Sequence, residues 1–167
     1  MVDLQGQYVR LSTQIDPAMK QVLHNADFIQ GGAVRKLEAA LAERYEVKHV
    51  IGCANGTDAL QLAFMALDLP PGSEVITPAF SYAALTEVLL LLGLKPVFAE
   101  VDAATFLMDV AALEGLITEK TRAIAPVHLY GQMVSMEPLL ALAKKHNLYV
   151  VEDAAQAIGS QYCTPGE

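Results

Sequence analysis

The sequence predicts an α/β protein with three layers, α/β/α, built around a mainly parallel sheet. Three observations carry that expectation. From residue 49 onward, short apolar runs rich in β-branched residues alternate with segments of helical periodicity. The apolar runs are near-continuous rather than alternating, as in strands covered on both faces. Hydrophobic residues make up 53% of the 167, enough for a packed core.

The elements follow in order. Leu11 to Leu23 has spaced apolar residues with Asp16-Pro17 inside, which predicts a helix beginning near Pro17. Gly31-Gly32 breaks that pattern. The next helix carries Val34, Leu37, Leu41 and Tyr45 at i, i+3, i+7 and i+11, one apolar stripe. His49–Ala54 then reads as a short buried strand and Thr57–Leu67 as a helix. Ser73–Pro78 is a strand, Thr86–Leu92 helical, Lys95–Val101 a strand and Ala111–Ile117 a short helix. Thr121–His128 is a strand, Glu137–His146 a helix and Leu148–Asp153 the last strand. Residues 1–30 form an amino-terminal arm and helix, and residues 31–167 the large domain.

Bulk properties remove several classes of function. A formal net charge of −8 argues against a broad nucleic-acid or membrane-surface footprint, which needs a basic patch. Cys53 and Cys163 are far apart and form no metal-binding cluster, so they read as reduced thiols. The start, MVDLQGQYVRLSTQ, lacks a signal pattern, and the apolar run Val88–Leu94 is too short to span a bilayer. These point to a soluble, cytoplasmic protein with no nucleic acid or membrane partner.

In open α/β sheets, ligands sit beyond the carboxyl ends of the strands. Three loops there carry unusual chemistry. In CANGTDAL, Asn55, Gly56 and Thr57 stand where a strand turns into a helix, whose free N–H groups and dipole favour a phosphate. The alternative is a plain N-cap, with Asp58 complementing the dipole. TPAFSYAAL offers Phe80 and Tyr82, one to lie flat on a ring and the other to pack inward, or both to serve as core. In EDAAQAIG, Glu152 and Asp153 are sequential and face opposite sides of a strand, so they are no acid/base dyad. One of them projects into the site, where a carboxylate suits a protonated ring nitrogen. Such a charge-assisted bond contributes on the order of 1.5–3 kcal/mol. The alternative is an acid capping the next turn. Ala154, Ala155 and Ala157 leave room for a flat ligand, and Gln156 can bond its rim. A phosphate cradle, an aromatic platform and a ring-nitrogen carboxylate together meet the demands of pyridoxal 5′-phosphate (PLP).

The runs GCANGTDALQLA, GSEVITPAFSYAA, TRAIAPVHLYGQ and VVEDAAQAIGSQY resemble the DegT/DnrJ/EryC1/StrS family of PLP-dependent sugar aminotransferases, which have the aspartate aminotransferase fold. The resemblance extends over nearly the whole chain, including the arm DLQGQY. It implies that Gly56, Thr57 and Asp58 hold the cofactor phosphate. It also implies that Tyr82 stacks on the pyridine with Phe80 as a core neighbour, and that Asp153 pairs with the ring nitrogen as the catalytic carboxylate. Gln156 falls near the phenolic oxygen, and His128 takes a structural place beneath the site. The implied reaction moves an amino group from an amino acid, L-glutamate, to a nucleotide-linked keto sugar for surface polysaccharides such as O-antigen. A homodimer is implied as well, since two subunits build each site in the family.

The family's cofactor-anchoring lysine lies some tens of residues beyond the EDAAQ-type motif. No lysine follows Lys145 here. The sequence is therefore expected to be the first part of such an enzyme, without the small carboxyl-terminal domain and without turnover of its own. Two alternatives stay open: a PLP-dependent sugar dehydratase, which has histidine at the lysine position, and a non-catalytic α/β ligand-binding module.

Overall fold

A computed structural model describes residues 2–162. Cys163 lies outside the described residues, while Cys53 carries an exposed free thiol. The chain forms two compact units, Met1–Gly52 and Cys53–Glu167.

The first unit holds two helices, α1 (Leu4–Asn25) and α2 (Gly32–Arg44). Helix α1 starts well before the expected Asp16-Pro17 boundary. Its cap is Asp3, whose carboxylate accepts from the Gly6 N–H at 2.9 Å. Pro17 sits inside the helix, where the missing N–H removes one backbone bond without ending the helix. Asp16 is no cap either, because it accepts from the Tyr8 hydroxyl two turns earlier, at 3.0 Å. Helix α2 forms where expected, but none of its predicted stripe is buried, Leu37 being 59% exposed and Tyr45 standing at the C-cap. It is entered through Asp27, which accepts from the Gly32 N–H at 2.7 Å. The strand expected at His49–Ala54 is absent. A strand needs a neighbour for its ladder, and Ile51, the most apolar residue of the run, is 80% exposed.

The second unit is the α/β body. Its elements are α3 (Gly56–Ala66), β1 (Glu74–Pro78), α4 (Ala84–Leu91), β2 (Lys95–Ala99), β3 (Thr121–Ile124), α5 (Met136–His146) and β4 (Tyr149–Val150). The segment Val110–Leu116 is a 3₁₀ turn rather than an α-helix, opened by Asp109 accepting from the Ala111 N–H at 3.0 Å. Among the described residues the sheet has four strands in the order β2-β1-β3-β4, all parallel.

Strand alternation sends neighbouring residues to opposite faces and thereby makes three layers. Val75 and Ala123 face a cluster with Leu60 and Phe64 of α3 and Leu85, Val88 and Leu89 of α4. Ile76 and Ile124 face the opposite cluster, with Leu113 of the 3₁₀ turn and Leu139 and Ala143 of α5. The predicted architecture is thus the observed one. β1 and β3 lie side by side, yet their outgoing connections cover opposite faces. The carboxyl ends of these two strands therefore part, and a crevice opens between them.

The amino ends of the strands are sealed instead. Glu74, almost fully buried at the start of β1, accepts from the Thr118 hydroxyl and from Lys95 Nζ at 2.9 Å. The bond from Thr118, then that from Lys95, holds its carboxyl below the usual glutamate range. A carboxyl depressed in the folded state adds stability that is fully present above its unfolded value, about 4.3, and is lost as pH falls through the lower folded value. Melting temperature should therefore drop below about pH 4.5, and Glu74→Gln should flatten that drop while lowering stability by about 1–3 kcal/mol at pH 7. Calorimetric scans of both proteins between pH 3 and 7 check this. Identical slopes would remove Glu74 from the account.

Candidate active site

The parted strand ends carry a cavity of about 280 Å³, near the small end of ligand pockets. Each wall comes from a different element. Gly56, Thr57 and Leu60 belong to the first turns of α3, Ser81 and Tyr82 follow β1, Val127 and Leu129 follow β3, and Asp153, Ala155 and Gln156 follow β4. Five of the six residues expected to bind cofactor (Gly56, Thr57, Tyr82, Asp153 and Gln156) line this one cavity.

Asp58 does not. Its N–H donates to Asn55 Oδ1 at 2.9 Å, and its carboxylate accepts from Asn55 Nδ2 at 3.0 Å. Asn55 and Asp58 thus cap α3 reciprocally, and both of Asp58's groups serve the helix. The N–H groups of Gly56 and Thr57 have no partner among the described residues, as expected of a first helical turn. A side chain added at Gly56 would meet nothing within 4 Å. The bare glycine therefore leaves open space beside this first turn.

Tyr82 is 79% exposed, its ring available along one side of the cavity. Phe80 is not the core neighbour expected. It lies past the last paired residue of β1, where the chain has left the sheet and no second layer covers it. It is 48% exposed and packs on Phe106, with ring centroids 5.6 Å apart, and Phe106 in turn meets Tyr130 edge-on at 6.3 Å.

Asp153 is placed by its backbone. Its N–H donates to Pro126 O at 2.9 Å, and its carbonyl accepts from the His128 N–H at 3.0 Å, a parallel bridge that prolongs the β3–β4 pairing. Its Oδ1 accepts from the Ala155 N–H at 3.1 Å, which orients the carboxylate at the cavity wall. Gln156 Oε1 accepts from the Tyr130 N–H at 2.7 Å, so its amide nitrogen is the group left to donate. His128, expected to be structural, is almost wholly buried, with 1% exposure, and does not line the cavity. The sequence reading passed over the lining residues Ser81, Leu60 and Val127. Ser81 stands between the two aromatics that drew attention, and the other two look like ordinary core.

A larger concavity, about 800 Å³, lies between residues 102–111 and α5. Its acids are engaged: Asp102 accepts from the Thr105 N–H and hydroxyl, Asp109 caps the 3₁₀ turn, and Glu114 pairs with Lys145 of α5. None of the expected site residues lines it.

The smaller cavity suits a flat molecule with an anionic arm and a cationic ring nitrogen. It has helix-end donors on one wall, a carboxylate on another and an aromatic ring between them. PLP has that distribution of charge, so the residues present fit it. Among the described residues, no helix is long and apolar enough to cross a membrane.

Comparison with known proteins agrees with the fold and the motifs. Residues 10–164 match the model of the DegT/DnrJ/EryC1/StrS aminotransferase family. A "Pleiotropic regulatory protein" of Geobacillus stearothermophilus is 49% identical over 97% of this chain and 44% of its own length. The UDP-2-acetamido-2-deoxy-3-oxo-D-glucuronate aminotransferase of Pseudomonas aeruginosa is 45% identical over 96% of this chain and 45% of its own. Among solved structures, S. venezuelae DesV in complex with a ketimine intermediate superposes with a TM-score of 0.91 at 39% identity, over 94% of this chain and 42% of that one. The ntda protein of Bacillus subtilis, described with bound cofactor PMP, gives a TM-score of 0.84 at 36% identity, over 87% of this chain and 33% of that one. The chain thus spans less than half the length of these relatives. It belongs to the DegT/DnrJ/EryC1/StrS aminotransferase family.

Proposed function

We propose that this chain provides the phosphate and ring-nitrogen walls of a PLP site in a nucleotide-sugar aminotransferase. L-glutamate is the amino donor and a UDP-linked 3-keto sugar the acceptor. The carrying observation is the convergence of Gly56, Thr57, Tyr82, Asp153 and Gln156 on one cavity. The P. aeruginosa relative, whose name specifies a 3-oxo UDP-sugar, favours that acceptor class. On this reading the protein works as a homodimer in the cytoplasm, and its product feeds surface polysaccharide such as O-antigen.

PLP, when bound, supplies an electron sink for carbanion chemistry at an amino-acid α-carbon. The chain's residues do the rest. Gly56 and Thr57 N–H groups and the Thr57 hydroxyl hold the phosphate, helped by the positive end of α3. Tyr82 covers one face of the ring and excludes water from it. Asp153 accepts from the ring N–H and keeps the proton there, through the oxygen not engaged with Ala155. The Gln156 amide donates to the phenolic oxygen, its own carbonyl being tied to Tyr130.

The test is a protein of the relatives' length carrying this sequence, supplied with PLP, L-glutamate and a UDP-linked 3-keto sugar. Formation of 2-oxoglutarate together with the aminosugar supports the reading, and neither product refutes it. A finer check uses Gly56→Val. A Cβ at this position meets nothing within 4 Å, and the branched side chain adds bulk beside the helix donors. PLP affinity should fall about tenfold or more, the equivalent of one lost charge-assisted contact. The fold, by circular dichroism, should stay intact; unchanged affinity would move the phosphate elsewhere.

A further inference from the structure

We infer that Glu152 and His128 form a positioning pair that keeps Asp153 turned into the cavity. The inference rests on the role proposed above for Asp153.

Two carboxylates stand side by side where β4 runs out, and only one lines the cavity. Glu152 is held on the opposite side. Its Oε2 lies 2.9 Å from His128 Nε2, and this bond keeps its carboxyl below the usual glutamate range, against the upward pull of partial burial. The His128 ring is almost wholly buried, and its Nδ1 accepts from the buried Val134 N–H at 3.2 Å. A backbone N–H cannot act as an acceptor, so Nδ1 bears no proton and the ring hydrogen resides on Nε2. Neutral His128 therefore donates to Glu152. The protein sets this tautomer through a main-chain group that no side-chain motion can reverse.

The ring consequently ties three segments together: the strand end before Leu129, the returning loop at Val134, and the Glu152-Asp153 turn. Further bonds close the same clasp, from the Tyr130 N–H to Gln156 and from the Ser160 hydroxyl to Gly131 O at 2.8 Å. If Glu152 were released, the Asp153 turn would keep its backbone bridge, the Ala155 bond and the bonds at Gln156 and Ser160, but would lose its anchor on the side away from the cavity. The Asp153 carboxylate would then lose the fixed orientation that recognition of a ring nitrogen requires.

Glu152 is accessible enough to replace without opening the core. Glu152→Gln keeps an acceptor for Nε2–H, whereas Glu152→Ala removes it. We expect the glutamine variant to bind PLP within about twofold of wild type and the alanine variant about tenfold more weakly in absorbance titrations, the cost of one hydrogen bond to a charged group. The glutamine variant should melt near the wild-type temperature and the alanine variant a few degrees lower, because it leaves the buried Nε2–H unpaired. In ¹⁵N spectra, wild-type His128 should show the neutral Nε2–H tautomer at pH 7. An alanine variant that binds PLP like wild type, a glutamine variant as weak as the alanine one, or a His128 carrying its proton on Nδ1 would each overturn the pair. Asp153→Asn, titrated alongside, separates the two levels of the argument. If it weakens binding while Glu152→Ala does not, the pair is wrong and the cofactor reading stands. With all variants made in a protein of the relatives' length, if Asp153→Asn also binds like wild type, or the wild-type protein takes up no PLP at millimolar concentration, the cofactor reading fails and the inference with it.

Discussion

Replacing Asp153 by asparagine in a protein of the relatives' length is expected to slow transamination by about 100-fold or more, while leaving the fold intact. The reason is electrostatic. A carboxylate beside the ring nitrogen favours its protonated form, and only that form withdraws electrons strongly enough for carbanion chemistry. Asparagine matches the shape and can still accept the Ala155 N–H, so the local turn should survive. What it lacks is the charge. A 100-fold loss corresponds to about 2.7 kcal/mol of barrier, the scale seen when one preorganised electrostatic partner is removed. Single-turnover formation of 2-oxoglutarate from L-glutamate measures the rate, and a thermal melt of the same sample guards against misfolding. Near-normal turnover with an unchanged melt would refute the role given to Asp153.

The largest expected effect on stability lies behind the wall of the cavity that α3 provides. Phe64 is fully buried on α3 and packs with Leu60 against Val75, Leu85, Val88 and Leu89. Those contacts hold the helix whose first turn offers the Gly56 and Thr57 donors. Phe64→Ala should cost about 3–5 kcal/mol, from lost apolar burial plus the cavity left in a well-packed layer. Melting temperature should fall by about 9 °C or more, taking roughly 3 °C per kcal/mol for a chain of this size. Urea unfolding should show a lower midpoint with a similar slope. A loss below about 1 kcal/mol would mean that α3 is anchored by something other than this face. The two substitutions also differ in kind: Asp153→Asn removes chemistry from a standing site, whereas Phe64→Ala loosens a wall of it.

Most of the second unit could be read before any coordinates. The parallel strands announce themselves because the central ones are near-continuous apolar runs, β1 being buried along its whole length and β3 along most of it, with helical segments between them. The misreadings have local physical causes. Pro17 looks like a helix start because proline favours the first turn, but the same residue is tolerated within α1 for the loss of a single backbone bond. His49–Ala54 has strand composition, yet composition cannot supply the neighbour that a ladder requires. The family resemblance implies a core place for Phe80, but it stands beyond the sheet, where a neighbouring loop offers Phe106 instead.

By itself, the sequence determined the layered α/β body, the three loops at one sheet edge and the family they mark, because periodicity and short motifs are properties of neighbours along the chain. Tertiary structure alone decided which loop residues meet. It brought Leu60, Ser81 and Val127 into the cavity walls, whereas the pairing of Asp58 with Asn55 is a local cap within one helical turn. It also gave Glu152 a partner 24 residues away in His128. Such pairings depend on where the connections of β1 and β3 part across the sheet. That is a long-range consequence of packing two apolar faces, and no local stretch of residues encodes it.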